Sequence, residues 1–150
     1  MTSLPPLQPE REIITIRTLP HPIAKVFAAW SDPAHLQKWW GPNGFSNTFE
    51  TFDFTPGGRW SFVMHGPDKG HYRNECEFID IRAPHHIYWK RHSKPLFDVA
   101  VTFEEIEDRT KMTFRMIFAT AEESEKLRKF VTGKNEENFD RLEAELQQMK

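Results

Sequence analysis

Between Phe45 and Thr120, apolar side chains recur with a period of two, and turn signals interrupt them at regular intervals. That period belongs to strands with one buried face. Trp60, Phe62 and Met64 alternate with Ser61 and Val63. Phe97, Val99, Val101 and Phe103 alternate cleanly, as do Met112, Phe114, Met116 and Phe118. Strands joined by short turns are successive hairpins, so their sheet is antiparallel. Its apolar face needs a cover, and the end of the chain offers one. Phe139, Leu142, Leu146 and Met149 are spaced by three, four and three residues, one stripe on an amphipathic helix. The pattern predicts a helix over Thr132–Lys150. Thr132 caps it, Glu136 and Glu137 lie in its positive first turn, and Lys150 sits at its negative end. Together these elements give an α+β fold in which a curved sheet wraps a helix and leaves a hole between them.

The remaining elements follow in chain order. Residues 1–11 read as a flexible arm, and 12–150 as one domain. Glu12–Leu19 is β-branched-rich and reads as a strand, which must pair at an edge or across the sheet with the last strand. Ile23, Val26, Phe27 and Trp30 recur at helical spacing. Asp32-Pro33 is a second helix start, Asp as cap and Pro at the first position. The short helix that follows carries Leu36, Trp39 and Trp40, and Gly41-Pro42 stops it. Alternation slips between Phe49 and Phe52 and again between Phe78 and Ile79, which predicts two bulges. Pro56-Gly57-Gly58 makes a tight turn; a strand rather than a helix follows, so the turn reads as structural and not as a phosphate cradle. Thr120 to Glu123 has capping-box spacing, and Leu127, Phe130 and Val131 form a stripe on a short helix. Gly133 separates or kinks that helix from the last.

Charge and composition exclude several classes. Twenty Lys plus Arg against 22 Asp plus Glu leave a net charge of −2, with no basic run, which argues against nucleic acid and membrane surfaces as partners. The single cysteine, Cys76, has no internal partner and belongs to no metal-binding set. The proline-rich start has no apolar core, so it reads as neither signal peptide nor membrane span, and a reducing cytoplasm is the expected location. Thirteen Phe and five Trp are enough bulky apolar surface to line a wide interior.

Asp32-Pro33, Trp39-Trp40-Gly41-Pro42, Phe54-Thr55-Pro56-Gly57-Gly58-Arg59-Trp60 and Asn138-Phe139-Asp140-Arg141-Leu142 occur in this order. In these motifs the chain resembles the activator of heat-shock-protein ATPase homologue-like family of the START/polyketide-cyclase/pollen-allergen helix-grip superfamily, over roughly Glu12 to Met149. The resemblance implies a seven-stranded sheet gripping a C-terminal helix around an apolar cavity. It does not imply one activity, since the superfamily includes lipid carriers, hormone receptors, aromatase/cyclases and co-chaperone domains. The eukaryotic co-chaperone activator carries a further N-terminal chaperone-binding domain, for which this chain has no room.

On this fold the expected lining is Trp60, Phe62, Met64, Trp89, Phe97, Val99, Phe114, Met116, Phe139 and Leu142. Trp39 or Trp40 roofs the entrance or caps the sheet as core; adjacent helical residues diverge by about 100°, so the two rings do not share one pocket. Tyr72, Asn74 and Cys76 share a face with Phe78, and facing inward they would orient a ligand. The opposite register would bury Glu75 and Glu77, which is costly without cations. Glu75 has Arg59 or Arg115 as a possible partner. Asn135 and Asn138, on the first turn of the last helix, either cap it or face the cavity. For chemistry, the weak acid–base candidates are His65, His71, Tyr72 and Glu75, the two histidines flanking one hairpin loop. Cys76 lacks a nucleophile's partners and reads as a small buried residue. No His pair has zinc spacing, so neither metal nor cofactor is expected.

Three functions stay open. The first is non-catalytic binding of a small apolar or aromatic molecule in the cavity. The second is a polyketide-cyclase-like or hydrolyase enzyme using the same pocket. The third is an interaction module, a chaperone cofactor included, which predicts a large exposed apolar patch. A monomer or weak homodimer is expected.

Overall fold

The computed structural model describes residues 4–149. Seven strands make one antiparallel sheet: β1 (Glu12–Leu19), β2 (Ser46–Phe52), β3 (Arg59–His65), β4 (His71–Arg82), β5 (His86–Arg91), β6 (Asp98–Ile106) and β7 (Arg109–Ile117). Their spatial order is β1-β7-β6-β5-β4-β3-β2. Six strands form a meander, and β1 returns to pair with β7, from Glu12 opposite Ile117 to Leu19 opposite Thr110. Register shifts lie between Phe49 and Thr51 in β2 and between Phe78 and Asp80 in β4. Both fall where the apolar alternation slips. An extra residue there bends the strand and increases its twist, which lets the sheet curl.

Three helices complete the fold: α1 (Ile23–Ser31), α2 (Pro33–Trp39) and α3 (Ala121–Gln148). Asp32 caps α2, its Oδ1 accepting from Ala34 N at 2.9 Å with Pro33 at the first position. The turn at Pro56-Gly57-Gly58 is structural, as expected. Gly57 N donates to Phe78 O and Phe78 N to Gly58 O, and a Cβ on Gly58 would collide with the Asp53 carbonyl. The curved sheet grips α3, an α+β helix-grip fold.

The end of the chain differs from the expectation. One 28-residue helix replaces two. Its cap is Thr120, whose Oγ1 accepts from Glu123 N at 3.1 Å and donates to Glu123 Oε1 at 3.2 Å. Thr132 is not a cap, Gly133 does not interrupt the helix, and Glu136 and Glu137 lie mid-helix. A glycine inside a helix costs about 1 kcal/mol, whereas a break would leave several backbone groups unpaired at two new ends. Both halves are also anchored. Ser124 Oγ donates to Glu10 O and Arg128 to Glu12 O, while Glu136, Asp140 and Glu143 all reach Arg17 at 2.5–2.9 Å. Phe130, expected on the packed stripe, is 66% exposed. Lys150 lies outside the described residues.

The arm expected over residues 1–11 makes contacts from Leu4 onward; Met1–Ser3 lie outside the described residues. Pro9–Arg11 form a 3-10 turn, and the carbonyls of Pro5 and Pro6 accept from Arg115 at 3.1 Å. Arg115 also forms a buried two-bonded pair with Glu12, at 2.7 and 2.8 Å. Burial pushes the Glu12 carboxyl up, but the Arg115 hydrogen bond, the Gln8 N–H and the nearby guanidinium charges together outweigh it and hold the pKa below its ordinary value.

The interior between sheet and α3 is unequally filled. Trp30 of α1, 2% exposed, packs against Trp39, Trp89, Phe103, Phe114 and Phe139, with centroids 4.9–6.4 Å away. Phe27 extends this block toward Phe54 and Phe103. The block closes one end of the groove. The other end is open.

Candidate functional site

The open end is a cavity of about 160 Å³. Strands β3, β4, β5, β6 and β7 wall it with alternate residues, because period two sends every second side chain inward. β3 gives Trp60, Phe62 and Met64; β4 gives Asn74 and Cys76; β5 gives Trp89 and Arg91; β6 gives Val99; β7 gives Phe114 and Met116. Phe97 stands just before β6. Trp40, Gly41 and Pro42 after α2, with Asn135 and Asn138 of α3, close it. The three indoles meet edge-on or tilted: Trp40 to Trp60 at 5.4 Å, Trp60 to Trp89 at 5.4 Å and Trp40 to Trp89 at 5.9 Å. Pro42, Met64, Arg91 and Phe97 are only half-buried and mark the rim.

Several expected residues lie elsewhere. Trp39 faces away from the cavity, its Nε1 donating to Ala29 O at 3.0 Å, so Trp40 alone of the pair faces in. Phe139 and Leu142 are fully buried packing between α3, the sheet and α1; the Trp30 block occupies the space in front of them. Tyr72 shares the inward face of β4 but stands beyond the cavity, 45% exposed, its hydroxyl donating to Asp68 at 2.7 Å.

The acid–base candidates are likewise outside. His65 and His71 face each other across the exposed hairpin end with Nδ1 atoms 2.7 Å apart, and Thr48 meets His65 Nε2. Glu75 lies on the opposite face of β4, accepting from Ser61 at 2.7 Å and pairing with Arg73 at 2.9 Å, not with Arg59 or Arg115. Its face follows from the register that turns Asn74 and Cys76 inward. Among the described residues no group of three His, Cys, Asp or Glu side chains is arranged to hold a metal.

Sequence reasoning missed Gly41, Pro42 and Arg91. Gly41 has φ +104°, and a Cβ there would meet Met64 Cε at 2.8 Å, so glycine serves both the turn and the cavity. The segment is clamped by α3. Asn138 Oδ1 accepts from Gly41 N at 2.9 Å, and Arg141 donates to Lys38, Gly41 and Pro42 carbonyls at 2.8–3.0 Å. The Trp39–Pro42 and Asn138–Leu142 motifs are therefore two halves of one fastening.

Arg91 ends β5, and Asn74 holds it. Asn74 Nδ2 donates to Tyr72 O at 2.9 Å while its Oδ1 accepts from Arg91 Nη1. Arg91 also donates from Nε to Ser93 O and from Nη2 to Lys94 O, and its guanidinium lies 5.5 Å from the centre of the Phe97 ring. The signal was present: Arg91 is two residues from Trp89 and so shares its face. Cys76 stands opposite Arg91. Burial pushes its thiol pKa from the ordinary value of 9.0 up to about 12, with the Arg91 charge opposing the rise. It is a neutral wall residue at physiological pH.

The comparisons agree with this architecture. A protein from Arthrobacter aurescens, solved by NMR, is 28% identical with a TM-score of 0.84, over 93% of this chain and 88% of that one. A crystal structure from Nitrosomonas europaea has a TM-score of 0.88 at 19% identity, over 97% and 100%. One from Mycobacterium smegmatis has 0.82 at 24%, over 92% of each chain. The last two speak to the fold alone. No curated protein matches the chain. None of the described helices is long and apolar enough to cross a membrane. The family model described as Activator of Hsp90 ATPase homolog 1-like protein matches residues 20–147. With that match over most of its length, the chain belongs to the Activator of Hsp90 ATPase homolog 1-like family.

Proposed function

We propose that the chain binds a small apolar or aromatic molecule in the cavity between the curved sheet and α3. The observation that carries this is an unfilled space of about 160 Å³, walled by aromatic rings, set in the buried apolar core. A native core seldom leaves such a void, because its lining atoms forfeit their dispersion contacts. Apolar walls with a few fixed polar groups are the composition of ligand sites. The lining carries no carboxylate and no imidazole, and Cys76 holds its proton, so the reading is of binding without a reaction. A single buried free cysteine suits a reducing cytoplasm.

Three tryptophans line the cavity, so their fluorescence reports its occupancy. Titration with toluene is expected to give a saturable one-to-one change, and native mass spectrometry to show one toluene per chain. If toluene and a panel of substituted single-ring compounds all leave the fluorescence and the mass unchanged, the cavity is not a binding site.

A further inference from the structure

The polar groups of the cavity are lopsided. Its wall holds one cation, Arg91, and no anion. Arg91 is half-buried at the rim, and a charge withdrawn even partly from water is stabilised by an opposite charge and hydrogen bonds. Arg17 meets three carboxylates and Arg115 meets Glu12, whereas Arg141, tied to the Gly41 and Pro42 carbonyls, meets none. Arg91 likewise meets none. Its described partners are the Asn74 amide oxygen and the carbonyls of Ser93 and Lys94, all neutral. A guanidinium has five N–H donors. Three are engaged, one each on Nε, Nη1 and Nη2, which leaves one on each Nη. Those two N–H groups are available to an anionic acceptor such as a carboxylate.

The guanidinium is also held in place for such a partner. Asn74, 2% exposed and on the cavity wall, fixes Nη1, and the Phe97 ring covers one face. Other lining donors are unengaged. Asn138 uses its Oδ1 on Gly41 N, while its Nδ2 has no acceptor among the described residues. Trp60 is 1% exposed, and its Nε1 has no partner. Against these stands the Asn135 amide oxygen as an acceptor, while Asn135 Nδ2 donates to the Met116 sulfur at 3.4 Å and to Thr15 Oγ1 at 3.5 Å. A wall rich in unused donors suits an acceptor-rich anion.

Size narrows the class further. An apolar cavity of about 150 Å³ holds one benzene. This one is about 160 Å³. Its space matches one aromatic ring, and a short polar arm would reach the rim at Arg91.

We infer that the occupant is a single-ring aromatic acid, its ring among the indoles and phenyls of the cavity and its carboxylate on Arg91. This rests on the binding reading above and adds the ligand's charge and size. The test compares benzoate with its uncharged isostere benzamide and with toluene, at pH 7, by calorimetry on the wild-type protein, Arg91→Met and Arg91→Lys. Wild type is expected to prefer benzoate to benzamide by roughly 10- to 100-fold, the range of a charge-assisted bond. Arg91→Met abolishes that preference, read as the ratio of benzoate to benzamide affinity within the same variant. Arg91→Lys, which retains charge but not the fork, keeps a reduced preference. Toluene bound with no benzoate preference in wild type overturns the inference and leaves the binding reading standing, as does a preference undiminished in Arg91→Met. Failure of all three probes removes both. If Arg91→Met does not fold, the wild-type preference and Arg91→Lys decide.

Discussion

Cys76 stands on the cavity wall with its thiol pKa pushed by burial from 9.0 up to about 12. Unfolding returns it to its ordinary value. As pH rises, the unfolded chain therefore loses this proton first, and the group lowers stability between about pH 9 and 12 while contributing nothing below pH 8. At pH 8 about one thiol in ten is ionised in the unfolded chain, against about one in ten thousand in the folded one. A thiolate-selective disulfide reagent should label the native protein about a thousandfold more slowly than the urea-unfolded protein. A native rate within tenfold of the unfolded rate would mean an ionisable, accessible Cys76 and would reopen covalent chemistry in the cavity. At this scale the sequence was legible where strand alternation alone decides the face, as for Asn74, Cys76 and Trp89. It was not legible where docking decides. That Trp40 rather than Trp39 faces the cavity depends on how α2 sits on α1, where Trp39 donates to Ala29 O. That Phe139 stops short of the cavity depends on Trp30 packing against it.

At the scale of elements, α3 separates two kinds of signal. Local chemistry identified the start: Thr120 and Glu123 form the cap, and no proline follows in the helix. Local chemistry also suggested a break at Thr132-Gly133, and there the long-range contacts win, with Ser124 and Arg128 anchored on one side and the Arg17 cluster on the other. Two helices and one helix make opposite predictions for Gly133→Ala. At a break, glycine would adopt a positive φ, and alanine would be strained. In a continuous helix alanine is favoured, and here nothing lies within 4 Å of the added Cβ. Gly133→Ala should stabilise by about 0.5–1 kcal/mol, read as a higher urea midpoint with an unchanged slope. A lower midpoint would indicate a kinked α3. The sheet shows the same division. Both bulges are visible as slips of alternation, whereas the pattern does not decide whether β1 pairs at an edge or across the sheet with the last strand; its eight residue pairs with β7 do.

The whole molecule can be seen as one groove, filled at one end by the protein's own Trp30 and left open at the other. If the open end is a functional vacancy, stability has been given up there, and filling it should restore some at the expense of binding. Val99 is the position to use: it is 1% exposed, lies opposite Trp89 in the sheet and borders the cavity. The phenyl ring introduced by Val99→Phe is about the size of the space it would enter, so the usual overpacking cost of a larger core residue does not arise. The expected outcome is a folded protein, stabilised by about 1 kcal/mol from the added apolar burial, with affinity for toluene and benzoate lowered at least tenfold. Thermal melts and the same calorimetry read both. The two results together carry the argument. Lower stability with intact binding would mean that the ring was forced into packed core and that the ligand lies elsewhere. The nearest candidate is then the second depression, bordered by Arg11, His92 and Phe118, which shares Arg91 and Phe97 with the cavity. Higher stability with lost binding would show that one volume serves both purposes, and that the helix-grip interior is kept open at a measurable thermodynamic cost.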